Sequence, residues 1–132
     1  FRAIDLVSIR ESVIAAKSAN ISHFVYLSVA QPASVMKAFL EVRAEGERLL
    51  RESGMRSTFI RPWYVLGPGH RWPYLILPLY WLWMLSPKSR DSARRLYPVK
   101  LRQVMRAIVD AVEHPPDGVR IVEAPEMRAL RW

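Results

Sequence analysis

The chain contains no cysteine, which excludes disulfides and thiolate metal sites and leaves the compartment open. Its three histidines, His23, His70 and His114, are scattered without partners at metal-ligand spacing, so no metal site is expected. Acidic residues are scarce: twelve Asp and Glu stand against twenty Lys and Arg, a formal charge of +8. That excess favours anionic partners such as phosphates, nucleic acid or a membrane surface, or else marks a solvated basic face. Charge is missing altogether from Trp72 to Ser86, a run that holds Trp72, Tyr74, Tyr80, Trp81 and Trp83. Interrupted by Pro73 and Pro78, it is too short to cross about 30 Å of hydrocarbon. It reads either as a helix packed over a ligand pocket or as an interfacial segment. Trp and Tyr favour the headgroup level, and Lys88, Arg90, Arg94, Arg95, Lys100, Arg102 and Arg106 follow directly. No initiating methionine or charged-then-apolar leader precedes Phe1. The residues Phe1 to Asp5 run straight into a helical pattern, so a fragment that begins inside a fold is expected.

What is present is ordinary for one globular domain: 132 residues, 51% hydrophobic and 24% charged. Asp5 is expected to cap a helix carrying Leu6, Ile9, Val13 and Ala16 at helical spacing, with Asn20 left-handed at its end. His23 to Val29 is a compact apolar run with the length and flanks of a strand buried on both faces. Pro32 and Ser34 open a second helix that Gly54 closes. Its buried stripe is predicted as Val35, Phe39, Val42, Gly46 and Leu49/Leu50, its outer face as Glu41, Glu45, Glu47, Arg48 and Arg51. Ser57 to Arg61 is a second strand, and strand-helix-strand at this spacing closes parallel and right-handed. Leu66-Gly67-Pro68-Gly69 is a turn. A last clear helix places Leu101, Val104, Met105, Ile108, Ala111 and Val112 on one side, and Val119 to Ala124 is a third strand.

The strand HFVYLS, the helix FLEVRAEGERLL, the segment SGMRSTFIRPWYVLGPG and the stretch VKLRQVMRAIVDAVEHPPDGVRIVEAPE together span about residues 3 to 127. In order and spacing they resemble the C-terminal part of an atypical short-chain dehydrogenase/reductase, of the NmrA-like, epimerase-like and complex I accessory-subunit type. The resemblance implies an α/β fold, the second half of a doubly wound parallel (Rossmann-like) sheet with a small helical substrate lobe. Residues 1–132 would then be a partial NAD(P)-binding domain, with 71–98 as the variable substrate-lobe segment. The Gly-rich turn that holds the dinucleotide pyrophosphate is absent, as no G-x-G-x-x-G occurs in the chain. With that half missing, His23 to Val29 would lie near an exposed sheet edge, which invites aggregation.

The resemblance also assigns positions. Family members that transfer hydride use a Ser, and a Tyr and Lys spaced Y-x-x-x-K so that both side chains share one helix face. Ser28 stands at the serine position, Phe39 at the tyrosine position and Arg43 at the lysine position. Phenylalanine has no proton to give, and arginine can hold a ribose hydroxyl without acting as a proton relay near neutrality. Glu47 falls four after Arg43, matching the family's continuation, although Arg43 and Glu47 also suit a plain surface ion pair. Pro62, Trp63, Tyr64 and Val65 match the loop whose backbone meets the nicotinamide carboxamide, and Tyr64 is the nearby phenol that would replace the lost acid.

The implied function is NAD or NADP binding, with a small-molecule ligand in the full-length protein and without tyrosine-dependent catalysis. The alternatives are an active reductase or sugar-nucleotide epimerase-like enzyme using another proton donor, and a membrane-surface or assembly scaffold. A cytoplasmic location is expected, with an anionic membrane surface as a further partner; nucleic acid is not expected.

Overall fold

The computed structural model describes residues 2–31, 36–69 and 72–130. Helix α1 (Arg2–Ser18) begins ahead of Asp5, which lies in its first turn and not at its cap. The helix buries Ile9 and Val13, and Asn20 adopts the left-handed conformation, φ 53°, that ends it. Strand β1 (His23–Leu27) leads into helix α2 (Lys37–Glu52), which stops at Gly54 with φ 73°. The predicted helix opening at Pro32 and Ser34 lies outside the described residues, as does Val35 of the predicted stripe. Strand β2 (Arg56–Arg61) returns parallel to β1, with His23 opposite Arg56 and Leu27 opposite Ile60.

A short strand β3 (Val65–Leu66), a 3-10 turn (Trp72–Ile76), and helices α3 (Leu77–Leu85) and α4 (Arg90–Arg95) form a small helical lobe. Strand β4 (Val99–Lys100) runs directly into helix α5 (Leu101–Glu113). Strand β5 (Val119–Glu123) and helix α6 (Ala124–Ala129) close the described chain. The main sheet has the order β1-β2-β5, all parallel, and β3 pairs with β4 as a separate parallel ribbon. Among the described residues β1 has β2 as its one partner, so its outer backbone edge is unpaired.

Period-two alternation sorts the sheet residues to two faces. Tyr26 and Phe59 join Ile9, Val13 and Leu50 under α1 and α2, while Ile60 and Val122 join Val104, Ala107, Ala111 and Met127 under α5 and α6. Helices thus cover both faces, the doubly wound α/β arrangement that the sequence leads one to expect. The buried side of α5 is rotated from the predicted one: Val104, Ala107 and Ala111 are buried, whereas Leu101, Met105 and Val112 are exposed. On α2 the stripe holds at Val42, Gly46 and Leu50, but Glu47 is buried and not on the outer face. Gly46 is required by a close approach to the sheet, since a Cβ there would lie 2.9 Å from Tyr26 Cζ.

His23, half-buried at the start of β1, has Nε2 2.9 Å from Thr58 Oγ1. Burial first, and then the Arg56 charge, holds its pKa below the usual 6.5. As pH falls below about 6.5 the unfolded chain takes up this proton before the folded one does. His23 therefore contributes stability above that pH and loses it as pH drops through its folded pKa. Thermal melts from neutral to mildly acid pH should show a midpoint decline that His23→Gln reduces; identical declines would contradict this.

Candidate functional site

The carboxyl ends of parallel strands are where α/β sheets bind ligands, because loops diverge there and leave a crevice. Three groups of side chains meet at that edge here. At the end of β1, Ser28 is buried, and its hydroxyl donates to Glu47 Oε1 at 2.6 Å. Glu47 in turn accepts from Arg61 twice, at 2.9 Å from Nε and 2.5 Å from Nη2. Arg51 lies 3.7 Å from the same carboxylate, and Glu123 lies 3.8 Å from Arg61. Glu47 thus pairs with Arg61 and Arg51 and not with Arg43. Its hydrogen bond is the main influence that raises the Arg61 pKa, which keeps this half-buried guanidinium charged. The expected serine position is occupied, but its proton is committed to Glu47.

Arg43 projects from α2 to the end of β1, where Nη1 donates to Leu27 O at 3.2 Å. Its guanidinium carbon lies 5.2 Å from the Phe39 ring centroid and 5.9 Å from that of Tyr26. Phe39 and Arg43 therefore share one helix face, as four-residue spacing dictates, and stack as cation on ring. Arg43 Nε is buried with no hydrogen-bond partner among the described residues, so the group keeps unused donor capacity.

The loop after β2 supplies the third group. Pro62 is buried and its carbonyl accepts from Ala30 N at 3.0 Å; the Tyr64 carbonyl accepts from Val99 N at 2.9 Å. Trp63 and Tyr64 pack edge to face at 5.6 Å, and Val65 pairs with Val99. Trp63 also packs on Ala30, Tyr80 and Leu96, which ties the helical lobe to the sheet edge. Burial, and then the nearby Tyr64 phenol, pushes Tyr80 above its ordinary pKa of 10, while a hydrogen bond from Trp63 opposes the shift. Tyr80 thus keeps its proton at neutral pH.

A cleft of about 650 Å³ opens at this edge, lined by Gln31, Lys37, Leu40, Arg61, Arg95 and Glu123. Gln31 Nε2 is buried without a partner among the described residues and offers two donors to a ligand oxygen. A larger cleft of about 840 Å³ lies at Gly67, Pro68, Gly69, Lys100 and Arg102. We favour the smaller one as the site because Arg61 links it through Glu47 to Ser28. Gln31 and Glu123 escaped the sequence reading, while Glu47, Tyr80 and Arg95 stood in it without a place at the site. Glu47 alone left a signal, the recurrence of an acidic residue four after Arg43.

Arg43 Nε and Gln31 Nε2 are each buried without a partner among the described residues, donors of the kind that a ribose hydroxyl or a carboxamide oxygen takes. Nothing in the sequence provides the Gly-rich pyrophosphate cradle.

No protein-family profile matches the chain, and no curated protein matches it. Among solved structures it is similar to a nucleoside-diphosphate-sugar epimerase from Staphylococcus aureus, at 17% identity and a TM-score of 0.54. The match covers 86% of this chain and 40% of that one, so the chain spans less than half the length of that structure. At that identity the likeness is one of fold: the chain has a Rossmann-like α/β fold of the kind this epimerase carries.

Proposed function

We propose that the chain is the nicotinamide-end part of an NAD(P)-binding protein, an atypical, NmrA-like relative of the short-chain dehydrogenase/reductases without tyrosine-dependent catalysis. The placement of Arg43 carries this reading. Its guanidinium sits at the carboxyl end of β1, with buried Nε without a partner among the described residues, and stacks on Phe39, the residue that the resemblance sets at the tyrosine position. In the full-length protein Arg43 would donate to a nicotinamide-ribose hydroxyl, with Pro62, Trp63, Tyr64 and Val65 bounding the carboxamide and Gln31 facing a small-molecule ligand. The bound cofactor would supply hydride chemistry. The chain's own residues bind and orient, because neither Phe39 nor Ser28, which is committed to Glu47, presents a free proton. On this reading the Gly-rich half lies upstream, and 71–98 forms the lobe over the ligand.

A second reading, an active reductase or epimerase-like enzyme, is favoured by one observation: the Tyr80 phenol side chain packs with Trp63 on Ala30, two residues past Ser28. Tryptophan fluorescence during NADPH and NADH addition separates these, on the 132-residue chain and on an N-terminally extended polypeptide. The proposal expects quenching with the extended polypeptide and no turnover of carbonyl substrates. Turnover abolished by Tyr64→Phe or Tyr80→Phe would establish the second reading. No response from either polypeptide would remove the cofactor reading and leave the fold as a scaffold.

A further inference from the structure

Helix α3 is apolar on every side, a pattern that normally means burial. Only its inward positions, Leu77, Tyr80 and Met84, spaced three and four apart, turn toward the protein. Outward, Leu79 is 63% exposed, Trp81 67%, Leu82 65% and Leu85 73%, and Leu75 in the preceding 3-10 turn is 81% exposed. Such a contiguous exposed patch marks an interaction surface. Its surroundings identify the partner. Residues 72–106 hold seven Lys and Arg against one acid, Asp91. Four of these cations bracket the helix in space. At its C-terminal end Arg90 Nε donates to Met84 O and Lys88 is exposed; at the other end Tyr74 lines one cleft with Lys100 and Arg102.

An apolar Trp- and Leu-rich surface rimmed by cations matches the boundary of a bilayer containing anionic lipid. Acyl chains take Leu, Trp lies at headgroup depth, and Lys and Arg meet the negative surface. A second copy of this chain would set these cationic rims against each other, which opposes self-docking. No helix among the described residues is long and apolar enough to cross a membrane, so the contact is with one leaflet. We infer that α3 and the turn before it dock the protein peripherally on an anionic lipid surface. This goes beyond the cofactor reading and does not depend on it.

The test is co-sedimentation with vesicles of phosphatidylcholine alone or mixed with phosphatidylserine, for the wild type and two exposed-site variants. The wild type should pellet with the mixed vesicles and be released in large part by high salt. Trp81→Ser/Leu82→Ser should weaken partitioning by about tenfold or more through lost apolar burial. Lys88→Glu/Arg102→Glu should do the same through charge, with circular dichroism confirming that both variants fold. Absence of pelleting, or pelleting that neither variant reduces, overturns the inference. So does a wild-type dimer, seen by analytical ultracentrifugation, that Trp81→Ser/Leu82→Ser converts to a monomer without any vesicle binding, since a second copy is then the occupant.

Discussion

Glu47→Ala is expected to destabilise the fold by about 3–5 kcal/mol, the typical loss when one partner of a buried ion pair is removed. The Glu47 side chain is 4% exposed and that of Arg61 13%, and the carboxylate accepts from Ser28 and twice from Arg61. Its loss strands the Arg61 charge in a half-dry position with only Glu123, 3.8 Å away, as compensation. It also leaves the Ser28 hydroxyl without its acceptor. Replacing both partners, Glu47→Leu with Arg61→Leu, should cost far less, because neither charge is then left unpaired. Urea unfolding of the single and double variants measures both. A single-variant loss under about 1 kcal/mol would mean that the network contributes no more than a surface pair does.

Phe59→Ala should lose a comparable amount, about 3–5 kcal/mol, by leaving a cavity at the centre of the sheet. Phe59 is fully buried, packs with Ile9, Val13 and Leu50, and meets Tyr26 edge to face at 6.3 Å. The Arg51 guanidinium covers its ring at 5.0 Å, so the change also uncovers one cation. Phe59→Leu keeps most of the volume and should cost less than about 2 kcal/mol. Equal losses for the two substitutions would show that the site collapses freely, contrary to the close packing described.

The βαβ unit was legible from sequence because its signals are local: an apolar run of strand length, a long amphipathic helix, and Asn20 and Gly54 where the chain turns left-handed. The β3-β4 ribbon was not legible. Two-residue strands show no periodicity, and the partners lie more than thirty positions apart. The rotation of α5 escaped because Leu101, Met105, Val109 and Val112 form a second apolar stripe, and the sequence does not say which stripe faces the sheet. Glu47 was misplaced for a similar reason. Its stretch of α2 reads as charged and outward, and only the arrival of Arg61 from β2 makes burial there tolerable.

At the site, the spacing of Phe39 and Arg43 correctly placed both on one helix face. Their stacking, and the withdrawal of Ser28 toward Glu47, depend on side chains brought from other elements. Tyr80 was legible only as part of an uncharged run; its place beside Ala30 and Trp63 follows from how the helical lobe folds back. Helix α3 itself divides in a way composition does not reveal, with Leu77, Tyr80 and Met84 turned inward and Leu79, Trp81, Leu82 and Leu85 outward.

Cofactor binding, if the chain has it, turns on Arg43. Calorimetric titration of NADPH and NADH into the N-terminally extended polypeptide, wild type beside Arg43→Ala, tests it. The expected result is cofactor binding by the wild type and a weakening of about tenfold or more in the variant, the scale of a lost charge-assisted hydrogen bond. Binding that Arg43→Ala leaves unchanged, or no binding by the wild type, would contradict it.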